Sequence, residues 1–383
     1  MYDVLARICQ GLGIPREAMG LSYYGPNGAY AGDVTVAEPP KGVDASMHRR
    51  ALILSGAVAA FGHPVLGELL TLPGPSAVDL PNQLDWHHVM KVRDTTRRLG
   101  LAGHGQPSDP DVCSAAAARA TRFLDVPGAE PIRRALLTAA AELHLEAGWA
   151  AFDAGLYDRA MHHNGRALEM ATEAGDPYCQ AVALSQAGLA TTEHGHPDDG
   201  LKMLQLAQVT SWRIPRDDRR IVPVGEGSRE ALESCALADS ATALAALGRA
   251  DLAAAEMTKA RQLWQPGRSD PLGDPGRVAA RLELDRGRLD VAEQHATASV
   301  RRWDGISHGG RTRSGIVLAT VYIQAGEPKG LTLAKTAIDA VAQLDSPRTR
   351  RQLTPLVDAL DGRPGSDARE LARVARKVAA TRA

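Results

Sequence analysis

One glycine recurs at a near-constant interval through the second half of this 383-residue chain, and small residues accompany it at fixed distances. Gly155 in "AGLYDRA", Gly195 in "HGHPDDG", Gly248 in "LGRADLA", Gly287 in "RGRLDVA" and Gly326 in "AGEPKGL" stand 40, 53, 39 and 39 residues apart. Seven residues before them lie Gly148, Gly188, Ala241, Ala280 and Ala319. Five residues after the first four lie Ala160, Gly200, Ala253 and Ala292, and seven beyond those lie Ala167, Ala207, Ala260 and Ser299. A glycine inside a helix costs roughly 1 kcal/mol against alanine, so Gly148 and Gly188 need a close contact to offset them. The spacing predicts hairpins of two helices, with a glycine turn between them and small residues where the two backbones meet. A single hairpin cannot cover its own apolar stripe, so neighbours must stack. Composition agrees: hydrophobic residues make up 44% and aromatic residues only 4%, which suits close-packed helices of alanine, leucine and valine better than a sheet.

These phrases resemble the tetratricopeptide repeat (TPR), a helical hairpin unit of about 34 residues. The resemblance covers residues 131–345 and implies an all-α fold, a TPR-like right-handed superhelix of helical hairpins. The unit here is longer, and the tryptophan expected early in the first helix is replaced by His144 and Leu184. In the fifth unit Leu331 and Ile338 stand where small residues are expected. The step of 53 places an insertion of roughly 13 residues in "SWRIPRDDRRIVPVGEG" (211–227), which reads as a loop extending from the solenoid.

Before the repeats the chain reads as several pieces. Val4, Leu5, Ile8, Cys9 and Leu12 make a short helical stripe within "YDVLARICQGLGIPREAMGLSYY". This segment resembles the last helix and exit of the helix-turn-helix DNA-binding domain in actinobacterial transcription regulators of the XRE type, where a TPR-like domain follows. The recognition helix would lie upstream of Met1, so residues 1–24 are expected to be a remnant, and DNA enters only through a helix-turn-helix domain upstream in the full-length protein. Residues 25–46 are expected to be a flexible linker, 47–130 a helical bridging region, and 346–383 capping helices. The twin arginines and apolar run of "MHRRALILSGAVAAFGHPVLGELL" are broken by His63, Pro64 and Glu68; a buried helix is expected there rather than an export signal or a membrane span.

Charge and cysteine usage narrow the function. Lys plus Arg (44) and Asp plus Glu (45) nearly cancel, without the basic excess of a protein that grips nucleic acid along its length. Cys9, Cys113, Cys179 and Cys235 form no CxxC pair and read as buried thiols of a reducing compartment, which favours a cytoplasmic protein. No catalytic motif is present. His194, His196, Asp198 and Asp199 cluster in "EHGHPDDG", but at a repeat turn where such residues are common. No metal, cofactor, catalytic residue or membrane partner is therefore expected.

The first helix of each hairpin is expected to line a concave groove. Projecting one register onto all five units places Trp149, Phe152 and Asp153 in it from the first, then Gln186 and Glu193, Asp239 and Thr242, Arg277 and Arg281, and Arg313 and Gln324. Acidic groups toward one end and arginines toward the other would orient an extended peptide. The expected function is that of the sensor or effector part of a transcription regulator, binding a peptide or protein partner in this groove, with a homodimer as a candidate assembly. The alternative is a stand-alone TPR adaptor for protein–protein interaction.

Overall fold

The computed structural model describes residues 80–102, 107–218, 220–222, 225–264 and 274–381. The expected remnant (1–24), the linker (25–46) and the start of the bridging region lie outside the described residues. Those described form fifteen helices and one two-stranded β-hairpin, so the fold is all-α and TPR-like.

The five hairpins are α3 (Glu130–Asp153) with α4 (Tyr157–Ala174), α5 (Pro177–Glu193) with α6 (Pro197–Ser211), α7 (Arg229–Ala246) with α8 (Ala250–Leu263), α9 (Pro275–Asp285) with α10 (Leu289–Trp303), and α11 (His308–Gln324) with α12 (Lys329–Gln343). Each second helix packs on the first helix of the next hairpin, and the first helices also touch one another in succession. They form the inner layer of a stack. Before them, α1 (Trp86–Ala102) and α2 (Pro110–Phe123) pack on α3. After them come α13 (Pro347–Arg351), α14 (Thr354–Asp361) and α15 (Ser366–Ala380).

Two kinds of local signal start these helices. Inner helices α5, α7, α9 and α11 open on side-chain caps: Asp176 accepts from the Tyr178 and Cys179 amides, Ser228 from Ala231, Asp274 from Gly276 and Ser307 from Gly310. Each cap is worth about 1 kcal/mol. Outer helices α4, α6, α8 and α10 follow a glycine turn instead. All five predicted turn glycines have φ between +71° and +97°, a region that a residue with a Cβ enters only at a cost.

The small residues are contact points. A Cβ on Gly188 would meet the Gly200 carbonyl oxygen at 2.9 Å, and one on Gly200 would meet the Gly188 carbonyl oxygen at 2.6 Å. Here α5 and α6 cross backbone to backbone. Ala160, Ala167, Ala207, Ala241, Ala253, Ala260, Ala280, Ala292 and Ala319 are completely buried.

Two expectations are corrected. In the fifth hairpin the close approach falls one residue earlier than the register gives. A Cβ on Gly330, not on Leu331, would lie 2.9 Å from the Tyr322 carbonyl, and Leu331 packs at the edge of the terminal core while Ile338 is buried within it. The described part of the insertion packs back onto the stack through Ile214 and Arg220. Ile214 anchors it, almost fully buried, and its strands β1 (Arg220–Val222) and β2 (Gly225–Gly227) pair antiparallel. Arg220 turns inward, donating to Asp176 at 2.6 Å with its guanidinium 5.0 Å from the Tyr178 ring centre.

Helices α14 and α15 pack on α11 and α12 and close the apolar end of the stack. Ala368, Ala372 and Ala375 form the buried stripe of α15. The short helix α13 instead runs back to α3 in the first hairpin.

Candidate partner-binding trough

The inner helices share one cavity of about 1220 Å³. Counted from the small inner residue of each hairpin (Gly148, Gly188, Ala241, Ala280, Ala319), the residue six positions earlier lines it in all five: Glu142, Val182, Cys235, Asp274 and Arg313. Three positions earlier, Leu145, Ser185, Ala238 and Arg277 line it, and two positions earlier Glu146, Gln186, Asp239 and Val278 do so. Offsets of three and four residues fall on one helix face, so each hairpin offers the same stripe.

The trough crosses this stripe obliquely. The last lining residue is Asp153 in α3, Leu189 in α5, Asp239 in α7, Val278 in α9 and Arg313 in α11; in register this edge moves toward the helix start from α3 to α5 to α7, stays level at α9 and moves again at α11. A single projected register ignores that drift. Of the residues it selects, Trp149, Asp153, Gln186, Asp239, Arg277 and Arg313 line the cavity. Thr242 is turned onto the Ala238 carbonyl of its own helix, Arg281 pairs along α9 with Asp285 at 3.0 Å, and Gln324 is exposed at the end of α11; these three lie outside.

Phe152 and Glu193 join the site through a residue outside the repeats that no register position singles out. Arg348, on α13, is 2% exposed. Its guanidinium donates to both Glu193 carboxylate oxygens, at 2.8 and 2.9 Å, and to Asp153 at 3.2 Å. It lies 4.1 Å from the Phe152 ring centre and 5.1 Å from that of Trp149. Ser346 donates to the Asp153 carbonyl and accepts from the Thr349 amide, fixing the turn that delivers the arginine. Arg313 of the fifth hairpin also comes within 3.8 Å of Asp153. The first and fifth hairpins therefore meet around Arg348, where Asp153, Glu193 and Arg313 converge.

Burial and charge set the protonation of this lining. Burial, reinforced by Asp153, pushes Glu146 up to about 7. Burial pushes Asp239 to about 7 too, although Arg277 and Arg348 oppose the rise. Burial should raise Glu193, but Arg348 overcomes it and holds the carboxyl below the usual range. Arg313 is lowered to about 10, chiefly by burial. Glu146, Asp239 and Arg277 have no hydrogen-bond or ion-pair partner among the described residues, and Gln186 Oε1 is buried without one.

Other polar clusters have local roles. His144, in the place of the expected tryptophan, meets His163 at 3.0 Å between their Nδ1 atoms, and the outer nitrogens reach Thr121 and Ser114 at 2.9 Å each. Burial holds His163 down at about 4 and His144 well below its ordinary value. His194 stacks flat on Tyr157 at 3.8 Å. Among the described residues no three His, Cys, Asp or Glu side chains converge as a metal site, and no helix is long and apolar enough to cross a membrane.

No protein-family model matches the chain, and no curated protein does. Among solved structures, the crystal structure of the P58(IPK) TPR domain aligns with 76% of this chain and 98% of that chain, at 12% identity and a TM-score of 0.18. A likeness of that size adds nothing to the fold assignment, which rests on the helix contacts described above.

Proposed function

We propose that this helical array is the partner-binding part of a regulatory protein and that it takes a peptide or an extended protein segment along the trough. The carrying observation is the shared stripe: five hairpins turn the same inner face to one continuous cavity. Its volume exceeds the ~300–1,000 Å³ usual for small-molecule sites, and its polar and apolar lining groups are spread over all five hairpins, which suits a chain better than a compact metabolite. A shallower depression of about 540 Å³ on α10 is lined by that helix alone and offers no converging groups.

The output of this regulator is proposed to be transcriptional, on the resemblance of residues 2–24 to the exit of an XRE-type DNA-binding domain. The neutral charge balance of the chain supports a reading in which bases are contacted by a helix-turn-helix domain joined to it and not by the array. Mass spectrometry of molecules co-purifying from the native host tests the site. Peptides held by the wild-type chain should be absent from a Gln186→Lys/Asp239→Lys variant that keeps its helical circular dichroism. An identical set on both proteins refutes the trough as the binding surface.

A further inference from the structure

The polar groups of the trough that lack partners are not scattered. Glu146, Gln186 and Asp239 occupy the same repeat position in three successive hairpins, two residues before the small inner residue. All three can accept hydrogen bonds, and none does so from a described residue. The next hairpin has Val278 at this position and, one residue earlier, Arg277, a cation likewise without a partner. Neighbouring helices pack roughly 8–10 Å apart and an extended chain advances about 3.3 Å per residue, so the four groups meet about every third residue of a strand laid across α3, α5, α7 and α9. Leu145, Val182, Leu189, Leu232 and Ala238 give the trough an apolar floor between them.

The local charges differ along the row. Asp153 on its own helix repels charge on Glu146, and Glu146 in turn disfavours the Cys113 thiolate of α2; no cation offsets it. Asp239 lies among Arg277 of α9, Arg348 of α13 and Glu193 of α5. A ligand cation therefore gains most at Glu146, neutral N–H donors suit Gln186 and Asp239, and an anion suits Arg277.

From this row, and resting on the peptide-binding reading above, we infer that the trough holds an extended peptide in one polarity, with a basic group on Glu146, backbone N–H groups on Gln186 Oε1 and Asp239, and a carboxylate on Arg277. Four hairpins span about nine residues of such a strand.

Fluorescence anisotropy on the full chain tests this with labelled nonapeptides that carry Lys and Glu at opposite ends, Lys at both, Glu at both, or neither. The Lys/Glu peptide should bind best. Glu146→Gln should weaken it about tenfold, as expected for one charge-assisted hydrogen bond, and should leave a peptide lacking Lys unaffected. Arg277→Gln should do the same with respect to the Glu end. Between pH 6 and 8, as Glu146 loses its proton, affinity for the Lys-bearing peptides should rise up to about tenfold more than affinity for peptides lacking Lys, and this difference should vanish in Glu146→Gln, because Asp239, which titrates over the same range, acts on all the peptides alike. Binding that ignores peptide charge and all four residues overturns the polarity while leaving peptide binding intact. Failure of every peptide to bind removes the peptide-binding reading as well.

Discussion

Replacing Gly200 with alanine should destabilise the array, and replacing Gly165 with alanine should stabilise it. Both glycines lie in outer helices, Gly200 in α6 and Gly165 in α4, and in an isolated helix each change would gain roughly 0.5–1 kcal/mol from reduced chain freedom. Nothing stands within 4 Å of a Cβ at Gly165, so the full gain is expected there. At Gly200 the new carbon would press on the Thr192 hydroxyl and come within 2.6 Å of the Gly188 carbonyl oxygen and 2.9 Å of the Thr192 amide. Two of these obstacles are backbone, so α5 and α6 must separate. Overpacking of this kind costs about 1–3 kcal/mol, and the Thr192 hydroxyl also loses its 2.9 Å bond to the Gly188 carbonyl, worth about 1 kcal/mol. The two variants should differ by roughly 2–4 kcal/mol in urea denaturation followed by circular dichroism. Equal effects, or a stabilising Gly200→Ala, would refute the assignment of small residues to backbone contact.

Three further outcomes follow from buried charge. Arg348→Leu removes the buried cation that Asp153 and Glu193 share, leaving Arg313 at 3.8 Å from Asp153 as the remaining ion pair, and should cost about 3 kcal/mol; adding Glu193→Gln should recover part of this in the same denaturation assay. Glu146 and Asp239 have raised folded-state pKa values of about 7, so their cost is absent below the unfolded carboxylate range, grows as pH rises toward 7 and is complete above it. Glu146→Gln and Asp239→Asn should therefore raise stability at pH 8 and leave it nearly unchanged at pH 4, even as they weaken ligand binding. The buried pair His144 and His163 has lowered values, so the stability it gives is present above the unfolded histidine pKa near 6.5 and is lost as pH falls toward 4. Nuclear magnetic resonance titration should show both imidazoles uncharged at pH 5.5; a midpoint near 6.5 for either ring contradicts the buried arrangement.

The repeat was legible because its physics is local. A turn glycine needs its left-handed φ wherever it sits, and Gly188 and Gly200 announce a contact because nothing else offsets a glycine within a helix. Which residues line the trough was legible only in part. Trp149, Gln186 and Asp239 follow from register, whereas Thr242, Arg281 and Gln324 fall outside the trough because its drift across the stack is a property of five packed hairpins and not of one. Arg348 left no signal at all: its partners Asp153 and Glu193 lie 195 and 155 residues away, and only the closing of the stack brings them together. The Glu146–Gln186–Asp239 row could have been found from the sequence by aligning the repeats and asking which inner positions are polar in succession. The turn of Arg220 back onto Asp176 could not, because a proline-bearing, charged insertion reads as solvated until a buried carboxylate is placed beside it.

The most direct test places a photo-crosslinking benzoylphenylalanine at position 186, on the inner face of α5, or at position 259, on the exposed face of α8, and illuminates each protein with the bound Lys/Glu nonapeptide. If the inner helices form the binding trough, position 186 captures the peptide and position 259 does not. Capture at 259, or at neither position while anisotropy shows the peptide bound, contradicts the account.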